Sequence, residues 1–159
     1  MRSVEREIRR RSGGFTLIEL VVTISIIAIL AAVALPRYIT LQTQARTAKA
    51  QAIYGGVRSA AALAHAQVLA SNITTTGAST VPMEATNVDI VNGYPQATAN
   101  GIILALQLDQ TADAVTFPAS PPNTILIDVN GAPGACRITY VEALVPSGSP
   151  AISVDPTGC

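Results

Sequence analysis

Phe15-Thr16-Leu17-Ile18-Glu19-Leu20-Val21-Val22, continuing through Ile24 to Leu35, is a 21-residue apolar run that holds one charge, the carboxylate of Glu19. At about 1.5 Å per residue a helix of this length reaches roughly 30 Å, the hydrocarbon thickness of a bilayer. The run is expected to cross a membrane. A lone carboxylate in such a span costs about 2.5 to 3.5 kcal/mol at its centre and less near an edge, so Glu19 requires a cation.

The flank sets the orientation. Residues 1–14 carry Arg2, Arg6, Arg9, Arg10 and Arg11 against Glu5 and Glu7, a net of +3, and a positive flank stays in the cytoplasm. Everything after Leu35 should then lie outside. A basic segment followed by an apolar one is also the pattern of a removable export signal, and Ala32-Val33-Ala34 offers a small-x-small cut that would release a soluble secreted binding domain beginning at Leu35. Against that alternative, the run exceeds the roughly 7 to 15 residues of a signal core, and a charge sits inside it.

Gly14-Phe15-Thr16-Leu17-Ile18-Glu19, with the apolar residues up to Pro36, resembles the N-terminal segment of type IV prepilins and of the pseudopilins of type II secretion. The resemblance implies that a prepilin peptidase/N-methyltransferase cuts after Gly14 and methylates the new amino terminus, Phe15. It implies a single-pass inner-membrane precursor that an assembly platform extracts from lipid into a homo-oligomeric helical pilus for adhesion, motility or biofilm formation. In such a fibre Glu19 of one copy meets the Phe15 amine of its neighbour. Further on, Pro36-Arg37-Tyr38-Ile39, Leu41-Gln42, Ala45-Arg46, Gly93-Tyr94-Pro95 and Cys159 look like pilins of the mannose-sensitive haemagglutinin type.

The physics of the pairing can be stated without the family. A free Phe15 amine lies four residues before Glu19, about 6 Å along a helix axis. In an apolar surround the two attract far more strongly than in water, although desolvation offsets much of the gain. Pairing between copies would set axial register, because a slip leaves both charges bare. The competing reading is that Glu19 reaches the headgroups or pairs within its own chain.

Composition fits a packing subunit. Of 159 residues 49% are hydrophobic and 4% aromatic, and the formal charge is zero. Without residues 1–14 the chain has five bases and eight acids, a net of −3. Arg37, Arg46, Lys49 and Arg58 are the only charges in residues 36–83, whereas residues 84–159 hold seven acids and Arg137. This basic neck and acidic head can attract each other between staggered copies, or simply form solvated faces. No dense basic patch for nucleic acid remains.

The expected organisation is a leader over 1–14, a membrane and filament-core helix over 15–35, an amphipathic continuation over 36–70 and a head over 71–159. The fold class is α+β, a long N-terminal helix packed on a small antiparallel sheet. Alanine is frequent and proline absent after Pro36, so helix propensity is high. The buried face is read through Leu41, Ala45, Ala48, Ala52, Gly56, Ala60 and Leu63, widened by Ile53, Val57, Ala64 and Val68. Pro36 removes a backbone donor and predicts a kink or loosening. Gly55-Gly56 is a second weak point, best explained by close packing.

Residues 71–80, rich in Ser, Thr, Asn and Gly, read as a loop, and Asn72-Ile73-Thr74 fits a glycosylation acceptor only formally. Residues 98–108 read as a short helix. Residues 124–129, 136–143 and 151–154 read as strands of an antiparallel meander, separated by Asn130-Gly131, Pro133-Gly134 and Pro146 to Pro150 turns. Cys136 and Cys159, if exported, are expected to form a disulfide; closing that loop contributes about 3 kcal/mol in the chain-entropy model. Type IV pilins commonly carry such a bond and major pseudopilins usually do not, which the resemblance adds in favour of a pilin.

Nothing suggests catalysis, a cofactor or a metal. His65 is the one histidine, so no multi-histidine site is available; it reads as a helix-surface or partly packed residue. Asp109 and Asp113 read as a solvated turn. Asp128, Asn130 and Gly131 resemble a calcium-loop fragment without its remaining ligands.

Overall fold

The computed structural model describes residues 14–84, 86–146 and 148–159. Residues 1–13, most of the expected leader, lie outside the described residues. Two units follow from the internal contacts, residues 1–40 and residues 41–159, and each is described by itself. One helix, α1 (Leu17–Ala70), contributes to both.

In the second unit α1 is followed by β1 (Ala78–Met83), β2 (Thr86–Val91) and β3 (Tyr94–Pro95), which form one three-stranded antiparallel sheet. A wide helical turn over Ala99–Ile103, interrupted at Gly101, leads into the single turn α2 (Leu104–Leu106). β4 (Val115–Thr116), β5 (Thr124–Val129), β6 (Arg137–Val141) and β7 (Ala151–Asp155) then pair in chain order as a four-stranded antiparallel meander. The α+β class holds, and the expected three-strand meander is present with β4 added at its edge.

Alternation explains how the meander meets the helix. Ile125, Ile127 and Val129 of β5 and Ile138 and Tyr140 of β6 are buried, as period-2 side chains on one face must be. They pack with Ala50, Ile53, Val57, Ala60 and Ala61 of α1. A second cluster joins Ala64 and Val68 to Val81, Val88 and Ile90 of the first sheet. One helix stripe therefore serves both sheets in succession.

Two expectations need correction. The buried stripe runs through Ala50, Ile53, Val57, Ala60, Ala61, Ala64 and Val68, whereas Leu41, Ala45, Ala48, Ala52 and Leu63 are exposed. An alanine-rich helix has small residues on more than one face, and the β-branched residues mark the side that meets a sheet. Gly56 does sit at a close approach, with Leu106 Cδ1 3.0 Å from where a Cβ would lie, while nothing crowds Gly55. The other correction concerns residues 78–80, which open β1 rather than extending a loop. β1 pairs with β2 on one side only and buries Val81 alone, so polar residues and Pro82 are tolerated along it.

The β2–β3 connection is the two-residue turn Asn92-Gly93, with φ of 52° and 85°. Such a turn matches strand twist and needs positive φ at both positions, which Asn and Gly supply. Asn92 also holds the sheets together. Its Nδ2 donates to the Ala143 carbonyl at 2.8 Å and its Oδ1 accepts from the Gly77 N–H at 3.2 Å. Tyr140 makes a second tie, its hydroxyl donating to the Pro95 carbonyl at 2.6 Å. A third runs from the Ala97 N–H to Glu142 Oε2 at 2.7 Å.

Burial raises the Tyr140 hydroxyl pKa above its ordinary value of 10.0. Below that value both folded and unfolded chains hold the proton, and stability does not depend on this group. As pH rises beyond it the unfolded chain ionises first, so stability is progressively lost. Tyr140→Phe should cost about 1 to 3 kcal/mol near neutral pH, since it orphans a buried carbonyl, yet reduce the loss between pH 8 and pH 11. Urea unfolding of both proteins at the two pH values checks this; an equal alkaline loss in both would remove Tyr140 as its source.

Candidate functional site: the N-terminal segment

Every residue from Gly14 to Leu41 is exposed. The helix in this unit is long and apolar enough to cross a membrane, and none of its most apolar window is buried by the chain itself. Phe15 is 75% exposed and Leu17 80%. A helix apolar all round and covered by nothing of its own requires lipid or other chains around it.

Local chemistry explains where the helix begins. Thr16 precedes Leu17, and its Oγ1 accepts the Glu19 N–H at 3.3 Å. Thr16 and Glu19 thus occupy the first and last positions of a capping-box pattern, with the acid in the first turn, where the helix dipole favours negative charge. The sequence carried this signal in Thr16-x-x-Glu19, and it was missed because Glu19 was weighed only as a charge awaiting a partner.

The span's other polar groups are satisfied internally. Thr23 Oγ1 donates to the Glu19 and Leu20 carbonyls at 2.7 and 2.8 Å, and Ser25 Oγ to Val21 at 2.7 Å. Glu19 is left as the sole ionisable group of residues 15–35. Gly14 lies outside the helix, and nothing stands within 4 Å of where its Cβ would be. Pro36 is inside α1, which continues past it. Its ring withholds the main-chain donor that the Ala32 carbonyl would otherwise receive, and its own carbonyl accepts Thr40 Oγ1 at 3.0 Å.

In the second unit Cys136 and Cys159 are joined, as the disulfide expectation requires. Arg46 donates to the main-chain oxygen of Cys159 at 3.1 Å, and Lys49 to the carbonyls of Asp113 and Ala114. Two cations of the basic neck are therefore engaged within their own chain rather than free for a neighbour. Asp128 of the calcium-like fragment is held by Arg137 in a two-point ion pair of 2.6 and 2.7 Å, and hydrogen bonding to Asp128 raises the Arg137 pKa. Asp109 and Asp113 form the expected turn, accepting from Thr111, Ala112 and Asp109 main-chain N–H groups. His65 is half-buried, its Nδ1 2.8 Å from the Gly93 carbonyl and its ring stacked on Tyr94.

The site is thus a capped apolar helix, long enough to cross a membrane, with one acid in its first turn and a glycine before it. Residues 9–35 match the family described as the prokaryotic N-terminal methylation motif. Over 57 residues the chain is 51% identical to the type IV narrow pilus major component PilA5 of Thermus thermophilus, an alignment covering 36% of this chain and 49% of that protein. The chain thus spans about half the length of the curated relative it matches. No solved structure matches the chain. Its N-terminal segment is similar to that of a type IV pilin.

The cap gives a direct test. Thr16→Ala should weaken the first turn by about 1 kcal/mol, seen as faster amide exchange at Glu19 and Leu20 in detergent micelles with no change beyond Ser25. Unchanged exchange there would mean that Thr16 does not hold the helix start.

Proposed function

We propose that the chain is the structural subunit of a type IV pilus. It is made as a single-pass inner-membrane precursor with a cytoplasmic N-terminus, cut after Gly14, methylated at Phe15 and polymerised through its N-terminal helix into a surface fibre. The observation that carries this reading is the complete exposure of Gly14 to Leu41, with Glu19 as the only charge in residues 15–35. Lipid covers that surface before assembly and neighbouring helices cover it afterwards, so the apolar span never meets water. Small residues support close helix approach, and Ala31, Ala34, Leu35 and Tyr38 line an apolar groove of about 330 Å³.

Glu19 supplies the register. Its carboxylate meets the processed Phe15 amine of an adjoining copy, and a contact between different surfaces of identical chains propagates as an open fibre. Pro36 is the point at which the helix can bend or loosen during that transfer. Adhesion, motility and biofilm formation are the tasks that the resemblance assigns to such a fibre. The Cys136–Cys159 bond supports a pilin over a secretion pseudopilin.

Glu19→Ala should insert in the membrane normally but lower fibre yield by at least about tenfold, because a buried partner charge is left bare. Wild-type yield would refute the pairing. Gly14→Val should leave the described segment undisturbed, since no atom of the described residues crowds that position, and yield a protein whose intact mass retains residues 1–14. A soluble secreted chain whose intact mass begins at Leu35 would instead establish a signal-peptide cut after Ala34.

A further inference from the structure

The far end of the apolar span carries a groove of about 330 Å³ lined by Ala31, Ala34, Leu35 and Tyr38, and beside it stands Arg37, the one cation in residues 15–45. We propose that this end of the helix binds an anionic phospholipid of the outer leaflet, with an acyl chain in the groove and the lipid phosphate on the Arg37 guanidinium. The proposal rests on the reading of residues 15–35 as a membrane span.

Depth puts the two parts of the site where a phospholipid has its own two parts. The run from Phe15 to Leu35 fills the roughly 30 Å of hydrocarbon, and the headgroup layer adds about 5 to 8 Å on each side. At about 1.5 Å per residue, Ala31 lies about 6 Å inside the boundary at Leu35, while Arg37 lies about 3 Å and Tyr38 about 4.5 Å outside it. The groove therefore straddles hydrocarbon and headgroups, and its cation stands at headgroup level.

Helical spacing brings the parts together. Ala31, Ala34, Leu35 and Tyr38 follow an i, i+3, i+4, i+7 pattern and share one face. The two small alanines leave a hollow beside the larger Leu35 and Tyr38 side chains. Arg37 comes three residues after Ala34 and so borders that face. Helix side chains lean toward the N-terminus, which here is the direction of the span, so the guanidinium is aimed back over the rim of the groove. Tyr38, 59% exposed, has an apolar ring for the hydrocarbon edge and a hydroxyl for the headgroups, the arrangement that enriches tyrosine at membrane surfaces.

Charge selects the occupant. Among the described residues the one ion pair joins Arg137 to Asp128, and Arg37 has no carboxylate against it. The only acid in residues 15–45 is Glu19, 18 residues earlier and so about 27 Å away along the axis. Arg46 and Lys49, by contrast, are taken up by main-chain oxygens of their own chain. A guanidinium at the edge of hydrocarbon calls for an anion, and a phosphate accepts it at two points. A zwitterionic lipid brings its own cation, whereas an anionic one leaves the pair neutral. Free phosphate offers nothing to the apolar groove, so head and tail together select a phospholipid. On the pilus reading a neighbouring helix later covers the same groove, and each subunit leaves this lipid behind when it is extracted.

The chain has no tryptophan, so Tyr38→Trp supplies a single fluorophore at the groove and keeps an interfacial aromatic there. The full chain carrying this change is reconstituted in equimolar phosphatidylglycerol and phosphatidylcholine vesicles in which one lipid or the other bears brominated acyl chains, and quenching by each is compared. Brominated phosphatidylglycerol should be enriched beside the fluorophore by about fivefold, the worth of one basic residue at an anionic surface. Adding Arg37→Gln should abolish the enrichment. Ile29→Trp in the otherwise unchanged chain should show none, because Ile29 is three or four residues from none of the lining residues and from neither side of Arg37. Equal quenching by both lipids at position 38, an enrichment that survives Arg37→Gln, or an equal enrichment at position 29 overturns the site and leaves the pilus reading standing. Quenching by neither lipid at either position would mean that the span is not in the bilayer, and overturns both.

Discussion

An apolar helix that its own chain leaves bare is the constraint on which the rest depends. Apolar surface in water is unfavourable in proportion to its area, and the segment from Gly14 to Leu41 is exposed among the described residues. It needs a nonaqueous surround. Glu19 is tolerable there only near an edge or beside a positive group, and its place in the first turn, with its own N–H taken by Thr16, supplies the edge and part of the positive potential.

The head is organised around a different need. Its two small sheets share one helix stripe, and neither is large enough to bury much alone. The ties through Asn92, Tyr140 and Glu142 fix one sheet to the other by satisfying main-chain groups that would otherwise be costly to bury. Arg46 and Lys49 then fasten the helix to the ends of the meander through carbonyl oxygens. Neck cations thus act as donors within a chain, a use that charge counting does not foresee.

The N-terminal segment was legible because its signals are local and strong: one charge in a long apolar run, a basic flank and an unusual hexapeptide. The meander was legible because short runs rich in Ile, Val and Thr, such as residues 124–129, are separated by Asn-Gly and Pro-containing turns. The phase of the long helix was not. Alanine fits either side of it, and the deciding residues, Ile53, Val57 and Val68, had been ranked as a fringe. The first sheet was missed for the opposite reason. β1 is Ser/Thr-rich with one buried side chain, and the clearest mark of the sheet, Asn92-Gly93 between Val91 and Tyr94, enters the sequence reading only through Gly93 in the Gly93-Tyr94-Pro95 likeness. The links from Asn92 and Tyr140 join residues 51 and 45 positions apart, and no local pattern announces them.

Two of the chain's three Asn-Gly dipeptides, those at residues 92 and 130, have different chemical lifetimes. Asn92 has its side-chain amide held at both ends, so the carboxamide is kept from the attack by the following nitrogen that turns asparagine into aspartate. Asn130 and Gly131 are exposed, in the β5–β6 turn, where that rearrangement is unhindered. Asparagine is among the thermolabile residues, and each conversion adds a negative charge. In the proposed polymer an ageing reaction at one residue would recur in every subunit, so old fibres would carry a different surface charge from young ones.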